Sequence, residues 1–475
     1  MSRGDRQVAA IFLSVALAVV LAACTADEGG GSGDPGSGAS TSAEPAPVTL
    51  GEGGALAVEA RSGRLGATRS TGGAPPGVLV TDDRVVETTG DDVIRVVDRA
   101  THEAVWQHDF TERAKGREDG LCTDPVVSPD GAHLVIGMTI DQLDCARIVL
   151  IDLETGDVVS DVPLISKTFT GYDITFYRHI RAFAVVAGSV WWTADDAVGS
   201  VDETGRPATV LGKHDLHLRG DDQTYSVAVP PDGDLFIVEV GHGTPTTKRY
   251  RREWFGIRPA ADGSAEIAWV TPESPKGVGF HDLASPLNVE LFDGIGAPVV
   301  ASLTRNRLAV GHLDAATGRL DRAAVIGWSY LSLFEPSYSR SEAVDGSRLF
   351  VAAGPPKDEQ TSVLALDLDA GRQLWRTDVT PTPSVERGER PSVMRVVRGT
   401  DGDLYALVGD PDLGPAEIQR FDSDTGEQTG VWSVPEDIDY IRYDLAVVDD
   451  TVVLTAGDAA DAPGLRRSYW LRVAS

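Results

Sequence analysis

Few residues in this 475-residue chain are spaced to do covalent or metal chemistry. Two thiols, Cys122 and Cys145, bracket the stretch "TDPVVSPDGAHLVIGMTIDQLD". Flanking positions on a hairpin bring Cα atoms within bridging range, so a structural disulfide is expected there. Two thiols without His neighbours are only half a metal site. The segment "FYRHIRAF" (Phe176–Phe183) groups Arg178, His179 and Arg181. A His there could act as an acid or base, but it has no partner within sequence reach and reads as a loop or surface residue. The one basic-aromatic cluster is "KRYRREWFG" (Lys248–Gly256). It could hold an anion with forked Arg hydrogen bonds while Trp254 stacks. The preferred reading is a solvated edge strand whose charges block aggregation. Asp422, Asp424 and Glu427 in "DSDTGE" begin like a calcium loop. The twelve-residue pattern is not completed, so an ordinary turn is expected. No G-x-S-x-G, H-E-x-x-H or C-x-x-C occurs. No catalytic residue, cofactor-binding residue, cofactor or metal ligand is therefore assigned.

The elements behind these residues are repetitive. Asp98, Asp152, Asp202, Asp314, Asp367 and Asp422 each end an apolar run and open a short polar turn. They recur about every 50 residues, one interval spanning two periods. The missing member falls near "RPAADGSAEIAW" (Arg258–Trp269). Most units also carry an Asp-Gly turn followed by a β-branched strand, as in "SPDGAHLVIGM" and "TDGDLYALVGD". Gly accepts positive φ and Asp caps its own backbone. Trp106 and Trp375 lie at the same offset past their Asp, and Trp432 slightly further. A large flat side chain at a fixed place suits packing between adjacent sheets. No sustained period of 3.6 appears, so the chain reads as all-β. Short, evenly turned strands favour a closed radial array. The expected fold is a β-propeller of four-stranded blades. Inner-strand signals number eight, with seven as the alternative if "APVVASLTRNRLAV" (Ala297–Val310) is an insertion. The chain stops at the third strand of its last unit, and Val48–Ala60 is an orphan strand candidate that could complete that sheet beside Tyr469–Val473.

The turn patterns "LDAATGRL" (Leu313–Leu320) and "ALDLDAGRQLW" resemble the repeats of pyrroloquinoline-quinone-type β-propellers. These include quinoprotein dehydrogenases and a propeller lipoprotein of outer-membrane assembly. The resemblance extends from about residue 48 to the end and implies the fold. Enzymatic members pair two adjacent cysteines beside the quinone and hold calcium with carboxylate and amide ligands. Here no cysteines are adjacent, and Asn288 and Asn306 are the only asparagines. No active-site residue is carried over.

Acidic residues number 72 and basic ones 42, a formal net charge of −30. That disfavours nucleic acid and anionic lipid surfaces as partners. Arg3 and Arg6 precede an apolar run, Val8–Ala23, that is shorter than a membrane-spanning helix requires. It ends in "LAAC", Leu21–Cys24, which resembles the lipobox of bacterial lipoproteins. The resemblance implies cleavage before Cys24, acylation of its thiol and a site on the outer leaflet of the bacterial plasma membrane. An ordinary secretion signal is the alternative. Thr25 follows, so the Asp that favours inner-membrane retention is missing. The next stretch is Gly/Ser/Pro-rich and reads as a flexible tether. Its "GSGDPG" fits a dinucleotide fingerprint but lacks the flanking strand and helix. The expected organisation is a signal peptide over 1–23, a lipidated linker over 24–47 and a propeller over 48–475. The expected role is a membrane-anchored, extracytoplasmic, non-catalytic module for a protein or cell-envelope partner, with the membrane reached only through the lipid. A quinone- or metal-dependent oxidoreductase is one alternative, and a glycan or peptide hydrolase or lyase another.

Lipidation is directly testable. Cys24→Ala is expected to abolish fatty-acid labelling and to shift the protein to the soluble fraction or block its processing. Unchanged membrane association of an unacylated chain would contradict the assignment.

Overall fold

The computed structural model describes residues 53–61, 65–67, 77–88, 93–110, 120–140, 144–169, 174–220, 222–229, 234–242, 251–260, 262–270, 289–292, 299–304, 307–318, 320–327, 342–345, 348–353, 362–367, 370, 372–380, 392–409, 416–435, 438, 442–457 and 465–473. Cys24 and the expected signal segment and linker lie outside them. The described elements are all strands and turns, and the fold is a β-propeller.

The first blade shows the plan. Its antiparallel strands are Gly77–Val80, Arg84–Thr88, Val93–Asp98 and Ala104–Asp109, ordered from the inside outwards. The same four-strand order recurs over residues 126–163, 180–211, 223–270, 289–327, 342–378 and 392–433. A last set joins Arg442–Val448, Thr451–Gly457 and Leu465–Val473 to the N-terminal strand Gly54–Arg61. The stretch Ala297–Val310 supplies the strand Val299–Thr304 and part of Arg307–Leu313 in one of these sheets, so it is not an insertion.

Packing explains why these strands are apolar on both faces. Val86, Ile94 and Val96 of the first blade pack with Leu134, Ile136 and Ile151 of the second. The alternate residues Val85 and Val97 point the other way, onto Val448, Val453 and Trp470 of the last blade. A sheet between two neighbours has no solvent face, so period-two alternation vanishes from the inner strands. It survives in the outer strand Val158–Pro163, where half-buried and exposed residues alternate.

The Asp turns are built alike. The Asp98 carboxylate accepts hydrogen bonds from the Ala100 and Thr101 amides, at 3.0 and 2.9 Å, and from the Thr101 hydroxyl. Asp152 and Asp422 repeat this on Glu154/Thr155 and Asp424/Thr425. The Thr101, Thr155 and Thr425 amides are the main reason these three carboxyls lie below the ordinary range. Their contribution is complete above that range and is lost as pH falls through the lowered values. The irregular fourth copy keeps the device in shortened form: Asp262 accepts from the Ser264 amide at 3.0 Å.

The repeated tryptophan joins one blade to the next. Trp106 Nε1 donates to the Leu153 carbonyl at 2.8 Å, in the turn of the following blade. Trp269 does the same to Ala315 at 2.7 Å, and Trp375 to Ser423 at 3.1 Å. Each acceptor directly follows the capping Asp. Each ring also lies against the turn glycine, where a Cβ on Gly156, Gly318 or Gly426 would stand 2.8, 2.2 or 2.5 Å from the indole. Gly263 has the same positive φ, but nothing lies within 4 Å of its missing Cβ. The preceding outer strand, Pro207–Leu211, carries no Trp.

The last blade is closed by the start of the chain. Gly54–Arg61 runs antiparallel to Leu465–Val473, with Leu56 opposite Val473 and Val58 opposite Leu471. It also touches the outer strand of the neighbouring blade in parallel, Gly54 against Trp432. This is the pairing expected for the orphan strand. The inner strand Gly77–Val80 packs against Arg442–Val448, joining first blade to last. Polar contacts cross that seam. Trp470 Nε1 donates to buried Glu87 at 2.5 Å, and Glu87 also pairs with Arg95. Arg99 forks onto Asp449 at 2.7 and 3.0 Å. His102 stands at the usual glycine position with φ 60° and packs on Trp470, centroids 4.6 Å apart.

Two outcomes follow from these contacts. Gly426→Ala and Gly131→Ala both place a side chain at positive φ, costing about 1 kcal/mol. Gly131 has open space around it, so only Gly426→Ala must also displace an indole. The urea midpoint of Gly426→Ala is expected to fall at least twice as far; equal shifts would argue against the docking. Deleting residues 48–61 is expected to lower the melting temperature of the whole propeller, whereas deleting 25–45 leaves it unchanged. Equal melting temperatures would argue against closure by the N-terminal strand.

Candidate interaction face

Strand direction sorts the connections between two faces. Links from first to second and from third to fourth strands of each blade share one face, here the turn face. They are short, such as 81–83, 153–157, 202–206 and 449–450. Links from second to third strands and from blade to blade share the other, the connection face. Among the described residues they include 212–220 and the link that carries Ile165–Phe169 and Ile174–Tyr177. Two stretches rich in connection residues also contain strands. Pro163–Gly188 holds the hairpin Ile165–Phe169/Ile174–Tyr177 and the inner strand Ile180–Val186. Gly241–Ala260 holds Arg251–Pro259.

The latter strand corrects one expectation. "KRYRREWFG" does not end in an edge strand, because Arg251–Pro259 lies between Phe236–His242 and Ala265–Val270. Buried Phe255 and Ile257 alternate with half-buried Trp254 and Gly256 contacts Trp269, which places the strand inside the sheet.

A run of polar contacts marks the connection face around the third and fourth blades. Arg178 Nε donates to Asp196 at 2.9 Å and its Nη1 to Thr209 at 2.8 Å. Arg181 donates to Asp195 at 2.6 Å and to Gln223 at 3.1 Å. His179 Nδ1 accepts from the Cys145 amide at 3.2 Å, so in the neutral ring the proton sits on Nε2. Beside Gln223, the His242 imidazole lies between two carboxylates: Nδ1 is 2.9 Å from Asp222 and Nε2 3.0 Å from Glu253. All three side chains are nearly buried. Carboxylates only accept, so both contacts require the three groups to share two protons. Both ring nitrogens are engaged by these contacts. The cluster ties the first three strands of one blade together. The sequence does not reveal it, because Asp222 precedes one strand while His242 and Glu253 lie on the next two, and only their register brings the three together.

The sequence-derived candidates fall as follows. Cys122 and Cys145 are joined as a disulfide, Cα atoms 5.6 Å apart. Asp422 caps its turn and Asp424 pairs with Arg348, so the "DSDTGE" carboxylates form an ordinary turn. On the same face Tyr405 Oη donates to Asp401 at 2.6 Å, and Arg420 pairs with Asp401 and Asp403. Burial, then the Asp401 contact, pushes the Tyr405 phenol far up. Among the described residues no group of three His, Cys, Asp or Glu is arranged to hold a metal ion. Trp106, Trp269 and Trp375 are committed to the seams.

Residues 26–240 match the family described as outer membrane protein assembly factor BamB, just under half of the chain. No curated protein matches the sequence. Solved structures with the same fold include quinohemoprotein alcohol dehydrogenase ADHIIG from Pseudomonas putida HK5, at 15% identity and TM-score 0.51, covering 88% of this chain and 76% of that one. The C-terminal WD40 domain of Sif2 aligns at 12% identity and TM-score 0.52, covering 90% and 100%. A europium-containing methanol dehydrogenase aligns at 14% and 0.50, covering 88% and 93%. At such identities the likeness concerns the fold alone, and the unrelated roles of these proteins show how little that fold says about chemistry. Together with the Asp turns and docked tryptophans, the match is consistent with a β-propeller whose repeats are similar to the pyrroloquinoline-quinone type.

Proposed function

We propose that this protein is a lipid-anchored, extracytoplasmic scaffold that binds a protein or cell-envelope partner on its connection face and does no chemistry of its own. The observation that carries the reading is the division of labour between the faces. Turn-face connections are short and capped, with their side chains engaged in blade contacts. Connection-face links are unequal, from two residues at 195–196 to the long blade-to-blade links that follow Pro163 and Leu211, and recognition concentrates in such loops on a stable scaffold. The match of residues 26–240 to an assembly-factor family supports a binding role. The apolar run ending in "LAAC" supports anchoring at Cys24 on the outer leaflet of the plasma membrane. Eight blades are part of the proposal, one for each four-strand set described above.

A photo-reactive residue can separate the faces. Ile165 and His214 are exposed on the connection face, Glu154 and Asp262 on the turn face. Crosslinking in intact cells is expected to give one discrete product shared by the first pair and absent from the second. A product confined to the turn-face pair, or common to all four, would overturn the assignment. The oxidoreductase alternative is tested by reconstitution with pyrroloquinoline quinone and calcium. Stoichiometric binding with dye reduction would replace the scaffold reading.

A further inference from the structure

The inner strand of the second blade is broken. Only Val126–Val127 pairs regularly with His133–Ile140. Pro125 has no N–H to give and interrupts the ladder ahead of it. Residues 120–123 take the place of the lost strand as a strap. Leu121 bridges Met138. The Cys122 amide donates to the Gly137 carbonyl at 3.0 Å, and the Thr139 amide to the Gly120 carbonyl at 2.8 Å. Two side chains complete the set: Thr139 Oγ1 accepts from the Gly120 amide at 2.7 Å, and Thr123 Oγ1 from the Gly137 amide at 2.8 Å. Residue 137 must be glycine for this, because its Cβ would lie 2.7 Å from Thr123. The disulfide then fastens the strap to Cys145 on the strand Asp144–Asp152. Cys145 is buried among Val135, Ile148 and Ile180 and also tied to His179 by its amide, whereas Cys122 is only partly buried.

We propose that Cys122–Cys145 is a redox-released pin: its reduction loosens the strap at the connection-face end of the second blade and leaves the ring folded. The chemistry is thiol–disulfide exchange with a dithiol reductant. A reductant thiolate attacks the more accessible Cys122 sulfur, and the Cys145 sulfur leaves and takes up a proton. The second reductant thiol then attacks the mixed disulfide, freeing Cys122 as a thiol and closing the reductant's own disulfide. Two electrons and two protons pass to the protein. The effect stays local because the bridge spans strands of a single blade, and the docked tryptophans and the closing strand do not involve it. Leu121 remains buried between the first and second blades, so the strap opens more often but stays seated.

The test is hydrogen exchange on the folded full chain, before and after incubation with dithiothreitol, with peptide mapping to show that the bridge is present and then gone. Exchange at the Gly120, Cys122, Gly137 and Thr139 amides is expected to rise at least tenfold on reduction. Amides of Leu404–Gly409, across the ring, are expected to keep their protection. The double variant Cys122→Ser/Cys145→Ser should reproduce the reduced pattern without reductant. Unchanged protection of the strap, loss of protection at both places together, or two free thiols in the untreated protein would each overturn the proposal.

Discussion

The constraint on which the rest of this ring depends is that each blade buries both faces against its neighbours, and at three seams an indole laid against a bare glycine sets the alignment. A blade buries both of its faces only if its neighbours stand at a set distance and angle. Apolar side chains supply most of the attraction, but they are non-directional and would tolerate sliding. The docked tryptophan removes that freedom. Its N–H reaches one carbonyl in the next blade, and its ring occupies the volume of a missing Cβ. The capping Asp belongs to the same device, because it fixes the turn that presents both carbonyl and glycine. Three kinds of residue on two blades thus act as one joint, which is why they recur together along the chain.

The seam between first and last blades is one of those that lack the joint. The outer strand of the last blade is the N-terminal segment Gly54–Arg61, and it carries no Trp. No outer-strand indole docks on the first turn, and His102 replaces the glycine there. Its own ring fills the space on Trp470. The seam is held instead by Glu87, Arg95, Arg99 and Asp449. Ion pairs are directional, as the docked indole is, and they restore the alignment lost with it. Glu87 is fully buried, so removing Trp470 or Arg95 would leave a buried carboxylate short of partners.

These constraints divide the molecule functionally. The turn face is occupied by its structural work: its turns are short and its carboxylates accept amide protons or pair with Arg. The connection face carries none of the docking joints, so its links can vary in length without disturbing the ring. The polar contacts around Arg178, Arg181 and His242 hold strand ends there in place, and the disulfide does the same for the second blade. Both faces belong to one rigid body, but only one of them can diversify at little cost to stability.

The amino-acid sequence alone determined the all-β class, the propeller architecture, the place of each Asp turn and the pairing of the N-terminal strand with Leu465–Val473. It could do so because those features are local and repeated: a turn motif about every 50 residues survives irregular members. It also indicated that Trp375 meets a neighbouring blade. The partner atom, the Ser423 carbonyl, and the need for Gly426 beneath the ring emerged only once two blades were packed. Arg251–Pro259 was misjudged as an edge strand because a charged, half-polar strand looks the same at an edge as it does one place further in. The Asp222–His242–Glu253 cluster left no trace in the sequence. A link residue and two strand residues become neighbours through register, and register is decided by which face of each strand the adjoining blades bury.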